Sequence, residues 1–147
     1  MATEAPENLL LDVLLTRMQA ITGGPTYNTN PGVKAIGLPA DAITPGSGQA
    51  IYVQHVSTQA LPNQGSLSSH RMRAMYHAWC LADTDRAALN VKDDALRAVR
   101  TSEGSFSALA PYGMREGDCF TPNPEATVRG KSVRVQEFFA DYEQTHT

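Results

Sequence analysis

The chain has 147 residues, a formal net charge of -3, 41% apolar and 18% charged residues, and two cysteines, Cys80 and Cys119. That length suits one domain and is short for two, and it buries enough surface to need no disulfide or metal staple. The small acidic charge argues against gripping a nucleic-acid backbone, and two cysteines are too few for a secreted disulfide scaffold, so both are expected to be free thiols.

The first residues, Met-Ala-Thr-Glu-Ala-Pro-Glu, carry no cationic region, and Asp12, Thr16 and Arg17 interrupt the apolar run behind them. The expectation is a cytoplasmic protein with neither a signal peptide nor a membrane span. The run itself predicts a helix from Pro6 to Ala20. Proline suits a first helical turn, Glu7 complements the helix dipole, and Gly23-Gly24-Pro25 supplies the stop. Leu10, Leu14, Met18 and Ile21 form one stripe, widened by Leu9, Leu11, Val13 and Leu15. Such a helix is well buried or presses one side on another chain.

Tyr27 to Gln49 is rich in Asn, Gly and Pro and reads as a long loop, with Val33, Ala35 and Gly37 as a candidate strand. Ile51–Val56 reads as a strand with Ile51, Val53 and His55 on one face. Ser69 to Leu81 is the clearest long strand. Met72, Ala74, Tyr76, Ala78 and Cys80 share one face, and Arg71, Arg73, Met75, His77, Trp79 and Leu81 the other. The first set is expected inward. The second turns from basic to apolar, so its basic end is expected at solvent or a partner and its apolar end under a helix. A carboxylate at Met72 should then be costly, and Arg73→Asp nearly neutral.

Asp83-Thr84-Asp85 can cap a helical region running to about Arg100, with Asn90 as a point of division. Thr101 to Pro124 is expected to pack irregularly, with at most a short strand. Thr127 to Tyr142 is the second long strand. Val133 and Val135 share one face and Phe138, Ala140 and Tyr142 the opposite one, so a bulge or a change in the covered side is expected near Gln136–Glu137. The order of elements predicts a single α+β domain, an antiparallel or mixed sheet flanked by two main helical segments. Its long loops fall near 26–49 and 101–124.

No segment carries a recognisable catalytic or phosphate-binding motif. Ser47 in Pro-Gly-Ser-Gly lacks nucleophile-elbow spacing, and no Walker lysine or dinucleotide fingerprint occurs. His70 and His77, like His77 and Cys80, point to opposite faces of one strand and cannot share an ion. A metal site could be assembled only through folding, from His55, His77 and Cys119. No catalytic residue, cofactor or metal is therefore expected. Arg71 and Arg73, with Arg129, Lys131 and Arg134, form a basic strip if their strands are neighbours. These five are the candidate interface residues, with ion pairing between subunits as their expected use.

The order of elements also resembles the tail-terminator, or tail-completion, family of long-tailed bacteriophages. The resemblance runs from Leu9 to Tyr142: the leading helix Leu9–Ile21, the strand Ile51–Ser57, the strand His70–Leu81, the helix Thr84–Arg100 and the strand Val128–Tyr142. Arg71-Met72-Arg73-Ala74-Met75-Tyr76 and Ala82-Asp83-Thr84-Asp85-Arg86-Ala87-Ala88-Leu89 carry its local wording. The resemblance implies a virion protein without enzymatic activity. Such a protein forms a homomeric ring, usually a hexamer, at the head-proximal end of the tail. There it contacts the tail-tube protein and a head-completion or neck protein, and DNA passes through without specific binding. The long 26–49 and 101–124 stretches depart from the simplest family pattern. Two other readings stand beside it: a head-completion or neck adaptor, and a small enzyme or ligand-binding domain built on His55, Tyr76 and His77.

Overall fold

A computed structural model describes residues 4–35, 48–62, 69–101, 110, 113–122 and 130–145 of the chain. Pro6 and Glu7 open helix α1 (Pro6–Gln19), which has no side-chain cap and ends with Arg17 in its last turn. Its stripe is the expected one: Leu10, Leu14, Met18 and the following Ile21 are all buried. Leu11, Val13 and Leu15 are only partly covered, so the helix lies along the core and does not pass through it.

Helix α2 (Asp85–Arg100) is capped by Thr84, whose hydroxyl accepts from the Ala87 amide at 3.1 Å. It is continuous through Asn90, which faces solvent. The expected division is absent because Ala88, Val91, Ala95 and Val99 hold the helix to the core on both sides of that residue. A packed stripe outweighs one residue of weak propensity.

Five strands form a mixed sheet: β1 (Gly32–Ala35), β2 (Ala50–Ala60), β3 (Ser69–Ala82), β4 (Met114–Phe120) and β5 (Ser132–Thr145). Their order is β1-β2-β3-β5-β4, with β1 parallel to β2 and every other pair antiparallel. The candidate strand at Val33, Ala35 and Gly37 is β1 over its first two positions, with Gly37 outside the described residues, and the irregular stretch after Thr101 holds β4. β2 runs past Val56 to Ala60 by means of a bulge between His55 and Ser57. β5 starts at Ser132, just after Gly130, whose φ of +78° breaks extended geometry. It continues beyond Tyr142 because Glu143, Gln144 and Thr145 pair with Arg71, His70 and Ser69. Ladder hydrogen bonds carry the strand further than its apolar pattern does. Residues 127–129, where the sequence pattern starts the strand, lie outside the described residues.

β3 and β5 pair without a register shift from Ser69↔Thr145 to Ala82↔Ser132, so the phase change near Gln136–Glu137 is not a bulge in β5. It is a change of covered side. Tyr76, Phe138, Ala140 and Tyr142 join α1 and α2 in the main core on the helix face. Trp79, Leu81, Val133 and Val135 form a second cluster on the opposite face, with Ala50, Tyr52 and Phe120 around it. No described helix residue belongs to that second cluster, so the apolar end of β3 is not helix-covered as the sequence pattern implies. The irregularity lies one strand over: Glu116 pairs with Phe138 and Cys119 with Gln136, leaving an extra residue in β4. Gly117 sits in that bulge. A Cβ there would stand 2.9 Å from the Glu137 Cβ, so this position accepts the close approach of β5 only without a side chain.

Candidate functional site

Three polar sites among the described residues are tied to the register of β3. On the open face, Arg73 stands opposite Asp141, and the two make a bidentate pair with Nε–Oδ1 at 2.8 Å and Nη2–Oδ2 at 3.1 Å. The Asp141 side chain is 2% exposed, and Arg71 Nη2 lies 3.9 Å from the same carboxylate. Phe139 lies beside the group, with the Arg73 and Arg115 guanidinium carbons 4.8 and 6.0 Å from its ring centre. One buried carboxylate thus holds a basic, partly aromatic surface.

This arrangement revises the expectation for Arg73. Alternation places it outward, but Arg73→Asp would set a second carboxylate beside a buried one. Met72 is half-buried at the rim of the core, whereas Tyr76 and Cys80 are fully enclosed, so Met72 is the mildest of the three inward positions. The Arg73 hydrogen bond, opposed by burial and aided by the charges of Arg73, Arg115 and Arg71, lowers the Asp141 pKa. A carboxylate depressed in the folded state contributes stability above its unfolded pKa, about 3.9, and that contribution is lost as pH falls towards the folded value. Thermal melts below about pH 4 should therefore show a loss of stability that Asp141→Asn reduces.

Lys131 and Arg134 lie at the other end of the sheet. Lys131 Nζ contacts Asp83 Oδ1 at 2.7 Å and the Gly48 carbonyl at 3.1 Å. Arg134 donates to both oxygens of Asp85, at 2.8 and 2.6 Å, and to the Thr121 hydroxyl at 2.8 Å. The strands of the expected strip are neighbours, but antiparallel register separates its halves. Arg134 stands opposite Cys80, seven residues along β3 from Arg73, or about 23 Å at the rise of a strand. Arg134 is also on the helix face and Arg73 on the open face. The structure does not bring these residues into one strip, and Arg129 lies outside the described residues. Arg73, Lys131 and Arg134 have partners within the chain: Lys131 and Arg134 lock β5 to the start of α2, while Arg71 and Arg73 hold Asp141.

The third site lies under the start of α1. His55 Nε2 is 2.7 Å from Thr58 Oγ1, which is 3.1 Å from Glu7 Oε2, and the Tyr76 hydroxyl donates to the Glu7 carbonyl at 2.7 Å. The His55 and Tyr76 rings meet edge-on at 5.4 Å. Two of the three residues of the enzyme reading are thus brought together, with Glu7 and Thr58 added. His77 is on the other face, 3.4 Å from Glu137 and edge-on to Phe120. Burial lowers its pKa, with Glu137 opposing.

Thr58 stands between His55 and the Glu7 carboxylate: its hydroxyl donates to Glu7, and the roles of His55 Nε2 and the hydroxyl follow the imidazole tautomer. The arrangement pins the bulge of β2 to the first turn of α1. His55 and His77 on opposite faces also cannot chelate one ion with Cys119. No cluster of three potential ligands occurs among the described residues. Burial raises the Cys80 thiol pKa well above its usual value, which keeps it protonated and unreactive. Both cysteines are free.

Asp94 is the polar residue that its sequence context hides. It is fully buried on α2 and accepts from the Asn28 amide at 3.1 Å, the Thr29 amide at 2.7 Å and the Thr29 hydroxyl at 2.6 Å. Arg97 adds a bond to the Thr26 carbonyl at 2.6 Å. Together they fix the segment that leads into β1. The signal available in the sequence was an acidic residue in phase with Val91 and Ala95 on the apolar stripe. For Asp141 it was a carboxylate inside an otherwise apolar strand.

No protein-family model matches the chain, and no curated protein matches it in sequence. Among solved structures, it is similar to the sheath/tube terminator of an extracellular contractile injection system, PVC, seen by cryo-EM in the extended state. The match covers 100% of this chain and 58% of that one, with a TM-score of 0.52 and 10% sequence identity. The likeness is therefore one of fold, and the chain spans somewhat over half the length of that terminator. No helix among the described residues is long and apolar enough to cross a membrane.

Proposed function

We propose that this chain is a structural terminator of a phage-type tail, forming a ring at the head-proximal end that stops tube growth and joins the tail to the head. The observation that carries the reading is the fold likeness over the whole chain to a sheath/tube terminator. The polar sites support it from the chemical side. The buried carboxylates Asp94 and Asp141, and the Glu7–Thr58–His55 group, each hold elements of the fold together.

A tube end presents the surface that adds the next subunit, so growth stops only when a layer binds that surface without reproducing it. In this reading the unequal contacts come from the two stretches 26–49 and 101–124, whose strands β1 and β4 lie at opposite ends of the sheet order. The ring is a hexamer of this chain, its neighbours are the tail-tube protein and a head-completion or neck protein, and its place is the virion. The Arg71–Arg73 end of the open face is the proposed contact for an acidic partner surface. A net charge of -3 suits a conduit through which DNA slides. Gold labelling of a tagged copy on intact particles should place one cluster at the head–tail junction. Label spread along the tail would instead mark a tube component and end this reading.

A further inference from the structure

We propose that copies of this chain join through their sheet edges, the outer edge of β2 from His55 to Ala60 pairing with β4 of the next copy. The proposal rests on the ring reading above and names the surface that closes the ring. Among the described residues, β1 covers β2 at Ala50–Val53. From His55 to Ala60, β3 is the only strand paired with β2 among the described residues. β4 is the last described strand on the other side of the sheet.

Strand direction makes these two edges compatible. The pairs β2–β3, β3–β5 and β5–β4 are all antiparallel, so β2 and β4 run in opposite directions. In a cyclic assembly every copy has the same orientation along the ring. The β4 of a neighbour therefore meets β2 antiparallel, the stronger ladder geometry. The contact is head-to-tail, using two different edges, as a closed ring of more than two copies requires.

The β2 edge also lacks the usual protection. His55-Val56-Ser57-Thr58-Gln59-Ala60 contains no Lys, Arg, Asp, Glu or Pro, the residues that blunt an open edge. Val56 is 44% exposed, more than any other large apolar residue described. The protection it does have is the bulge at Val56, which bends the strand against indiscriminate pairing. β4 carries its own single extra residue opposite Gln136–Phe138, so both outer strands are bent by the same device.

Cys119 lies exposed on β4, while Cys80 is buried and does not compete, which gives a direct test. Val56→Cys, Ser57→Cys, Gln59→Cys and Ala60→Cys are each made with Cys119 kept and with Cys119→Ser, then oxidised mildly at high protein concentration. Facing residues of paired strands come close enough for a disulfide. At least one variant should give a ladder of disulfide-linked multimers that disappears with Cys119→Ser, because each copy then bonds one neighbour on each side. Dimers that persist with Cys119→Ser, or no cross-link in protein that sediments as an oligomer, overturn the edge contact and leave the ring. Protein that stays monomeric at millimolar concentration and forms no cross-link overturns both.

Discussion

Tyr76→Ala is expected to cost about 3–5 kcal/mol, a large part of the stability of a domain this size. Tyr76 is fully buried at the middle of β3, the central strand, between Phe138 of β5 and His55 of β2. Its hydroxyl donates to the Glu7 carbonyl at the start of α1. Truncation therefore leaves a cavity where sheet and helix meet, and strands paired on both sides limit how far it can collapse. Burial raises the tyrosine pKa above its usual value, so the group acts as a neutral donor at any ordinary pH. Tyr76→Phe keeps the ring and removes only the hydrogen bond, a loss of about 1 kcal/mol. Urea unfolding of the two variants separates these contributions. Equal losses would mean that the bond to Glu7, and not packing, holds α1 down.

The second large effect is expected at Asp94. Asp94→Ala removes three hydrogen bonds and leaves the Thr29 amide and hydroxyl buried without their acceptor, at a cost of about 2–4 kcal/mol. The loss should be local before it is global. Residues 28–29 lead into β1, a strand of four residues with one described strand neighbour, β2. Amide exchange in Gly32–Ala35 should accelerate under conditions where β3 and β5 stay protected. Asp94→Asn keeps one acceptor oxygen and should lose less. Unchanged exchange in β1 would mean that its pairing with β2 suffices to hold it.

Long-range pairings explain most of what the sequence pattern could and could not convey. α1, α2 and β3 were legible because each carries its own period over three turns or more, or over a dozen alternating residues. β1 and β4 were legible only as a candidate strand and as a short strand without bounds, since four residues of mixed exposure and a bulged run containing Gly117 carry no clear alternation. For the polar sites, residue type gave half the answer. Arg71, Arg73, Lys131 and Arg134 stood out as basic residues on strands. Their partners Asp141, Asp83 and Asp85 are 68, 48 and 49 residues away for Arg73, Lys131 and Arg134 respectively. The antiparallel register of β3 and β5 alone decides that these arginines and the lysine lie at opposite ends of the sheet. Glu7 and Thr58 were missed for a different reason: a bulge at Val56, invisible in composition, turns Thr58 towards α1.

On the proposed function, the protein ends a tail. Electron microscopy of a lysate lacking its gene tests this most directly, by measuring the length distribution of tubes and tails. Overlong tubes, or tails that fail to join filled heads, are expected, with tube and head otherwise sound. Tails of normal length on infectious particles would contradict it, and tails of normal length beside leaking heads would move the protein to the head side of the junction.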